Sequence, residues 1–123
     1  MPERIVPMIR VPDVNATAQW YASIGFEICN VNREGDKGEI DWALLRLGQS
    51  EIMLSAGGQP SSAPRREFDL YTHVDDVGGL RRSLDGKIEL VEDLHETFYG
   101  AGEFIIGDCN GFWITFGGPI KKE

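Results

Sequence analysis

The chain has 123 residues, of which 41% are hydrophobic and 26% charged, and its formal net charge is −8. This length and composition predict one globular domain, and the negative charge argues against nucleic acid or an anionic membrane surface as a partner. No apolar run approaches the roughly 20 residues of a membrane-spanning helix, and the start of the chain lacks the apolar core of a signal peptide, so we expect a cytoplasmic protein.

The first half of the chain predicts the order strand, helix, strand, strand, strand. The stretch RIVPMIRVPDV, residues 4–14, leads into the helix candidate NATAQWYAS, with Asp13 or Asn15 as N-cap and Gly25 just beyond its end. Alternating apolar residues in GFEICNVN predict a strand. The stretches DWALLRLG and EIMLSA predict a hairpin joined through residues 48–50.

The second half repeats this order. Residues 67–77 end in Val-x-Asp-Val, as residues 4–14 do, and a second helix candidate, VGGLRRSL, follows Asp75 or Asp76 and precedes Gly86. The strands KIELVED, GEFIIGD and GFWITFG then complete the repeat.

A stretch rich in Gly, Pro and Ser, GGQPSSAPRR, separates the two halves. One helix in each repeated unit indicates duplicated halves and not a solenoid, which needs at least three units. We therefore predict an α+β fold in which residues 1–123 form a single domain of two tandem βαβββ modules. The modules cover residues 1–58 and 67–123, with a linker over residues 59–66.

The stretch GDCNGFWITFGG places Cys109 beside Asn110 and Gly111, between two predicted strands. Asn-Gly is a strong hairpin signal because both residues tolerate positive φ. A low thiol pKa requires nearby cations or a helix N-terminus, and the local sequence offers Asp108 without Lys or Arg. We predict that Cys109 is a turn residue, and a nucleophilic pair of Cys109 with His95 stays open as the alternative.

Two longer motifs resemble a known family. VPDVNATAQWYASIGFEI resembles the first motif of the vicinal oxygen chelate superfamily, and GEFIIGDCNGFWITF resembles its closing motif, in which Asp-Pro-Asp/Asn-Gly precedes a strand. This superfamily includes glyoxalase I, extradiol dioxygenases, fosfomycin-resistance enzymes and bleomycin-resistance proteins. The resemblance implies that the sheets of two βαβββ modules curl into a cupped cavity, and that the protein is a homodimer.

The resemblance also implies where a catalytic metal would be held. Metal-dependent members use four strand positions occupied by His, Gln, Glu or similar residues. Carried over, these positions fall on Val6, Met53, Asp69 and Thr115, or on Ser55 in place of Met53 if the register shifts by two. Because Val and Met are poor ligands for a hard or borderline divalent ion and Thr is a weak one, we expect no catalytic metal and no catalytic residue at these positions.

The bleomycin-resistance branch is the better match. ETFYGAGEFIIGDCNG resembles its aromatic-Gly-x-x-Glu-Phe stretch, in which the aromatic before the glycine stacks on the drug. SEIMLSAGG resembles the hairpin strand of that branch, with Ser55 at a position that is Ser there too. Trp42 stands at a strand position that is also aromatic in that branch. Trp113 shares strand parity with Thr115. The resemblance makes Trp42, Ser55 and Tyr99 candidate ligand contacts, and the predicted set also includes Asp69, Trp113 and Thr115.

We therefore predict a protein that binds and sequesters a small molecule, for which an antibiotic such as bleomycin is one candidate, without a cofactor. Aromatic side chains bind planar groups, and an acidic protein attracts a cationic one. The first alternative is a lyase, isomerase or dioxygenase that uses a divalent metal in a shifted site. The second is a domain without catalysis whose cavity is vestigial and whose interface serves assembly.

Overall fold

Two βαβββ modules make up the part of the chain that the computed structural model describes, residues 5–34, 38–58 and 69–120. The predicted α+β fold of two tandem modules is confirmed. The chain divides into two compact units, Met1–Ser61 and Ser62–Glu123. The predicted linker over residues 59–66 lies outside the described residues.

The first unit forms a four-stranded mixed sheet with one helix. Its strand order is β1-β4-β3-β2, with β1 parallel to β4 and the other neighbours antiparallel. The elements are β1 (Met8–Arg10), α1 (Val14–Ser23), β2 (Glu27–Arg33), β3 (Ile40–Leu47) and β4 (Ser50–Ser55).

The second unit repeats this topology, with the strand order β5-β8-β7-β6 and β5 parallel to β8. Its elements are β5 (Asp69–His73), α2 (Val77–Ser83), β6 (Glu89–Glu96), β7 (Gly102–Gly107) and β8 (Trp113–Gly118). No helix in the described part of the chain is long and apolar enough to cross a membrane.

An aspartate fixes the start of each helix, as the capping signals predicted. Asp13 accepts a hydrogen bond from the backbone N–H of Ala16 at 2.9 Å, and Asp76 accepts one from Gly79 at 3.0 Å. Gly79 has a specific reason to be glycine, because a Cβ there would lie 2.4 Å from Oδ2 of Asp76. Gly25, at φ +114°, follows the end of α1.

Alternation along the strands places one face of each sheet in an apolar core. In the first unit, α1 contributes the fully buried Tyr21, whose ring meets that of Phe26 edge-on at 5.1 Å. In the second unit, Phe104 and Phe116 lie opposite each other on β7 and β8 and stack at 5.2 Å. The other buried hydrophobic residues on the strands are Ile9, Ala43, Leu45, Ile52 and Leu54 in the first sheet, and Ile106 and Ile114 in the second.

The turn between β7 and β8 is a three-residue loop. The hairpin forms where Asn-Gly predicted it, but only Gly111 has positive φ, at +84°, and Asn110 does not. The loop is one residue longer than a two-residue Asn-Gly turn, because the backbones of Asp108 and Phe112 still pair at 2.8 Å. A glycine in the third loop position is the usual form of such three-residue hairpins.

Candidate ligand-binding site

The second sheet has a distal face, which is the face turned away from α2. A Cβ on Gly102 would lie 3.0 Å from Cγ1 of Val77 in α2, so Gly102 and the residues alternating with it face the helix. Their neighbours along each strand therefore line the distal face. Strand register arranges them in three rows: Asp69, Trp113 and Glu89; Tyr71, Thr115, Ile105 and Glu92; and His73, Gly117, Glu103 and His95.

Two tyrosine hydroxyls meet at one carboxylate oxygen on this face. Tyr71 donates to Oε2 of Glu103 at 2.5 Å, and Tyr99, from the turn between β6 and β7, donates to the same oxygen. Tyr71 reaches Glu103 by crossing β8 at Gly117, where a Cβ would lie 2.0 Å from its hydroxyl oxygen. The ring of Tyr71 also lies 5.0 Å from that of His73. The distal face thus contains an ordered group of aromatic rings around one acid.

Hydrogen bonding keeps Glu103 ionised. The bond from Tyr71, followed by the bond from Tyr99, lowers the pKa of the Glu103 carboxyl, and the nearby His95 lowers it further. The bond to Glu103 raises the pKa of Tyr71, so that its hydroxyl stays protonated and donating at neutral pH. Since folding lowers the pKa of Glu103, this carboxylate stabilises the fold above its unfolded pKa, and that contribution is lost as the pH falls through the folded value.

The two glycines at the end of β8 give a matched test of this arrangement. Gly117→Ala brings its Cβ against the end of the Tyr71 side chain, which can rotate away, so we expect a loss of unfolding free energy of about 1 kcal/mol or less. Gly118→Ala brings its Cβ to 2.0 Å from the backbone carbonyl oxygen of Val74, which cannot rotate away, and we expect a loss of about 2–3 kcal/mol.

Urea denaturation measures both losses, and the NMR signals of the Tyr71 ring report whether it has moved. We expect the ring signals to shift in Gly117→Ala and to stay nearly unchanged in Gly118→Ala. Equal destabilisation of the two variants, with an unmoved Tyr71 ring in both, would contradict the close packing of Tyr71 over Gly117.

The first sheet also has a distal face, turned away from the side that buries Leu45 and Leu54. The predicted contacts Trp42 and Ser55 lie directly opposite each other there, on β3 and β4. The Ser55 hydroxyl accepts a hydrogen bond from Nη1 of Arg10 at 3.4 Å, and the same nitrogen donates to the Ala56 carbonyl at 3.3 Å. Arg10 therefore adds a cation to this face, which the sequence did not single out.

The predicted contacts of the second unit lie at two ends of its distal face. Trp113 is directly opposite Asp69 at one end, and Tyr99 reaches Glu103 at the other. Thr115 lies between them, opposite Tyr71, and is only 9% exposed. A ligand that touches both Trp113 and Tyr99 must therefore extend along most of the face.

Strand register excludes the pairing of Cys109 with His95. His95 lies opposite Glu103, near the start of β7, whereas Cys109 lies in the turn beyond the end of that strand. The four residue steps from Glu103 to Gly107 alone separate them by roughly 13 Å. The exposed Cys109 is a turn residue, as predicted.

Glu103 and Tyr71 are the functional candidates that sequence reasoning missed. Glu103 stands in the aromatic-Gly-x-x-Glu-Phe stretch that carried the resemblance, but that motif pointed only to the aromatic residue, Tyr99. Tyr71 carries no comparable signal, because its approach to Glu103 depends on the order of β5, β8 and β7 and on the space above Gly117.

Residues 4–116 match the family described as the Glyoxalase/Bleomycin resistance protein/Dioxygenase superfamily. The chain belongs to this superfamily. The matched residues span both modules, in agreement with the duplicated topology of the two sheets. No curated protein sequence matches the chain at a significant level.

Several solved structures share the superfamily fold over nearly the whole chain. TioX from Micromonospora sp. ML1 is 20% identical, with a TM-score of 0.76, and the match covers 97% of this chain and 100% of TioX. A bleomycin-binding protein complexed with bleomycin is 19% identical, with a TM-score of 0.69 and coverage of 95% and 98%. The bleomycin resistance determinant encoded on transposon Tn5 is 19% identical, with a TM-score of 0.70 and coverage of 96% and 98%. At these identities the likeness establishes the fold alone.

The residues at the four positions that the resemblance assigned to a metal do not fit a divalent ion. Val6 precedes β1, Met53 on β4 pairs with Met8, and Thr115 on β8 pairs with Tyr71. Asp69 is the one carboxylate among the four residues. Such ions require imidazole or carboxylate ligands. Within residues 5–34, 38–58 and 69–120, no cluster of three His, Cys, Asp or Glu side chains could hold a metal elsewhere.

Proposed function

We propose that the protein binds a planar small molecule against the distal face of its second sheet and sequesters it without metal catalysis. The observation that carries this proposal is the group of aromatic rings on that face, in which Tyr71 is 47% exposed and Tyr99 is 56% exposed although both hydroxyls are held by Glu103. Half-exposed rings in a fixed orientation offer flat apolar surface to a ligand at a small cost in side-chain entropy.

Sequestration requires only binding, and the groups on this face support binding better than acid–base chemistry. A general base must release and take up protons near the working pH. The Glu103 carboxylate, with its lowered pKa, is a weak base and acts as a fixed negative charge. A superfamily relative complexed with bleomycin supports the choice of a planar, heteroaromatic drug as the first ligand to test. A homodimer, which the family resemblance implies, is part of this proposal.

Calorimetric titration with bleomycin tests the proposal, with Tyr99→Ala and Tyr99→Phe as a matched pair. We expect saturable binding to the wild type, and an affinity roughly three- to tenfold lower in Tyr99→Ala because one stacking ring is lost. Tyr99→Phe keeps the ring and should remain within about threefold of the wild type.

Two results would count against the proposal. Absence of binding at micromolar concentrations would remove bleomycin as the ligand. Saturable binding of equal affinity in all three proteins would remove Tyr99 from the site and with it one end of the proposed binding face.

A further inference from the structure

We propose that Glu103, with the rings of Tyr71 and Tyr99, forms a subsite for a planar nitrogen cation, such as an amidinium or guanidinium group. This inference rests on the proposed function and deepens it, because it names the chemical class of the ligand group that this end of the distal face would take. The subsite combines an anion with one open acceptor position and two exposed aromatic rings.

The two oxygens of the Glu103 carboxylate differ in their hydrogen bonds. Oε2 accepts both tyrosine hydroxyls, and no group in the described part of the chain donates to Oε1. An ionised carboxylate oxygen is a strong acceptor, and a charged N–H donor is its strongest partner. The N–H of a bound cation would replace solvent as the donor to Oε1. The bond would be to a single oxygen, since the tyrosines occupy the other.

Both tyrosine hydroxyls favour a cation over a proton at this carboxylate. They stabilise the ionised form of Glu103, which makes it a weak base that does not take a proton from an amidinium. The other ionisable groups on this end of the face are His73 on β5 and His95 and Glu92 on β6.

The tyrosine rings add attraction of their own for a flat cation. A cation near the face of an aromatic ring is attracted by the electron density of the ring, and a planar cation also stacks on it. Because their hydroxyls are tied to Glu103, the rings of Tyr71 and Tyr99 keep their orientation before a ligand arrives. The formal net charge of −8 draws cations toward the protein as a whole.

The probes are 2-naphthamidine, a planar cation at pH 8, and 2-naphthamide, its neutral counterpart of nearly the same shape. Calorimetry measures the affinity of each for the wild type, Glu103→Gln and Glu96→Gln. Glu96 lies on β6 opposite Gly102, which faces α2, so Glu96→Gln removes the same charge on the other face. Gln at position 103 keeps the size of the side chain and an acceptor for the tyrosines.

We expect the wild type to prefer naphthamidine by about tenfold or more, as a charged hydrogen bond plus cation–π attraction should give. The preference should fall to about threefold or less in Glu103→Gln and persist in Glu96→Gln. Equal affinity of both probes for the wild type, unaffected by Glu103→Gln, would overturn the cation subsite and leave planar binding intact. Failure of both probes to bind the wild type would overturn the cation subsite, and absence of bleomycin binding in addition would overturn the proposed function. The wild-type comparison tests the inference without any variant.

Discussion

Phe104→Ala is expected to lower the free energy of unfolding by about 3–5 kcal/mol, the range for removing a fully buried phenylalanine ring. Phe104 is 0% exposed and stacks on Phe116, and its strand, β7, lies between β6 and β8. The loss combines the transfer of the ring out of water with the cavity that remains, because strands on both sides prevent the site from collapsing. Urea denaturation measures the effect.

Phe98→Ala is the matched control for this large change. Phe98 is 99% exposed, in the turn before β7, so the same substitution should change the unfolding free energy by less than about 0.5 kcal/mol. A loss below about 1 kcal/mol in Phe104→Ala, similar to that of the control, would mean that the core of the second unit is not packed around Phe104.

Asp108→Ala is expected to cost about 2–4 kcal/mol, because the Asp108 carboxylate holds the turn between β7 and β8 together. Its Oδ1 accepts the backbone N–H of Asn110 at 2.7 Å and that of Phe112 at 2.9 Å, and Asp108 is only 7% exposed. Alanine leaves both donors without this acceptor, and the one on Phe112 is buried. Asn keeps the oxygen, so Asp108→Asn should lose about half as much or less.

Cys109→Ser, one residue further on, serves as the control in the same turn. Cys109 is exposed, so we expect a change within about 0.5 kcal/mol. Thermal denaturation of the three variants ranks them. A Cys109→Ser loss as large as that of Asp108→Ala would contradict the assignment of the turn to the aspartate.

Much of the fold could be predicted because the capping residues and the spacing of apolar residues indicated the same helices and strands. The aspartates before the helices and the glycines after them marked both helices, and alternating apolar residues marked the strands. The choice between Asp13 and Asn15 required the structure, since both are good N-caps and only Asp13 bonds the N–H of Ala16. The hairpin at Asn110-Gly111 was predicted, but its loop length was not, because an Asn-Gly pair fits more than one hairpin loop length.

The candidate site was less predictable because its parts meet only through strand order. Tyr71 and Glu103 are far apart in the chain and on strands that are not neighbours, and the gap between them is bridged across Gly117. Likewise, the separation of Cys109 from His95 follows from the register of β6 on β7, which no local pattern encodes. The family motif located Tyr99 but gave no reason to name Glu103 beside it.

The most direct test of the proposed binding face is the bleomycin titration followed by NMR of the tyrosine and tryptophan side chains. We predict saturable shifts of Tyr71, Tyr99 and Trp113 on the distal face of the second sheet. The ring of Trp20 lies on α1 against Tyr21 and should stay unchanged. Saturable shifts confined to Trp20 and its neighbours, with Tyr71, Tyr99 and Trp113 unmoved, would contradict the proposed location of the ligand.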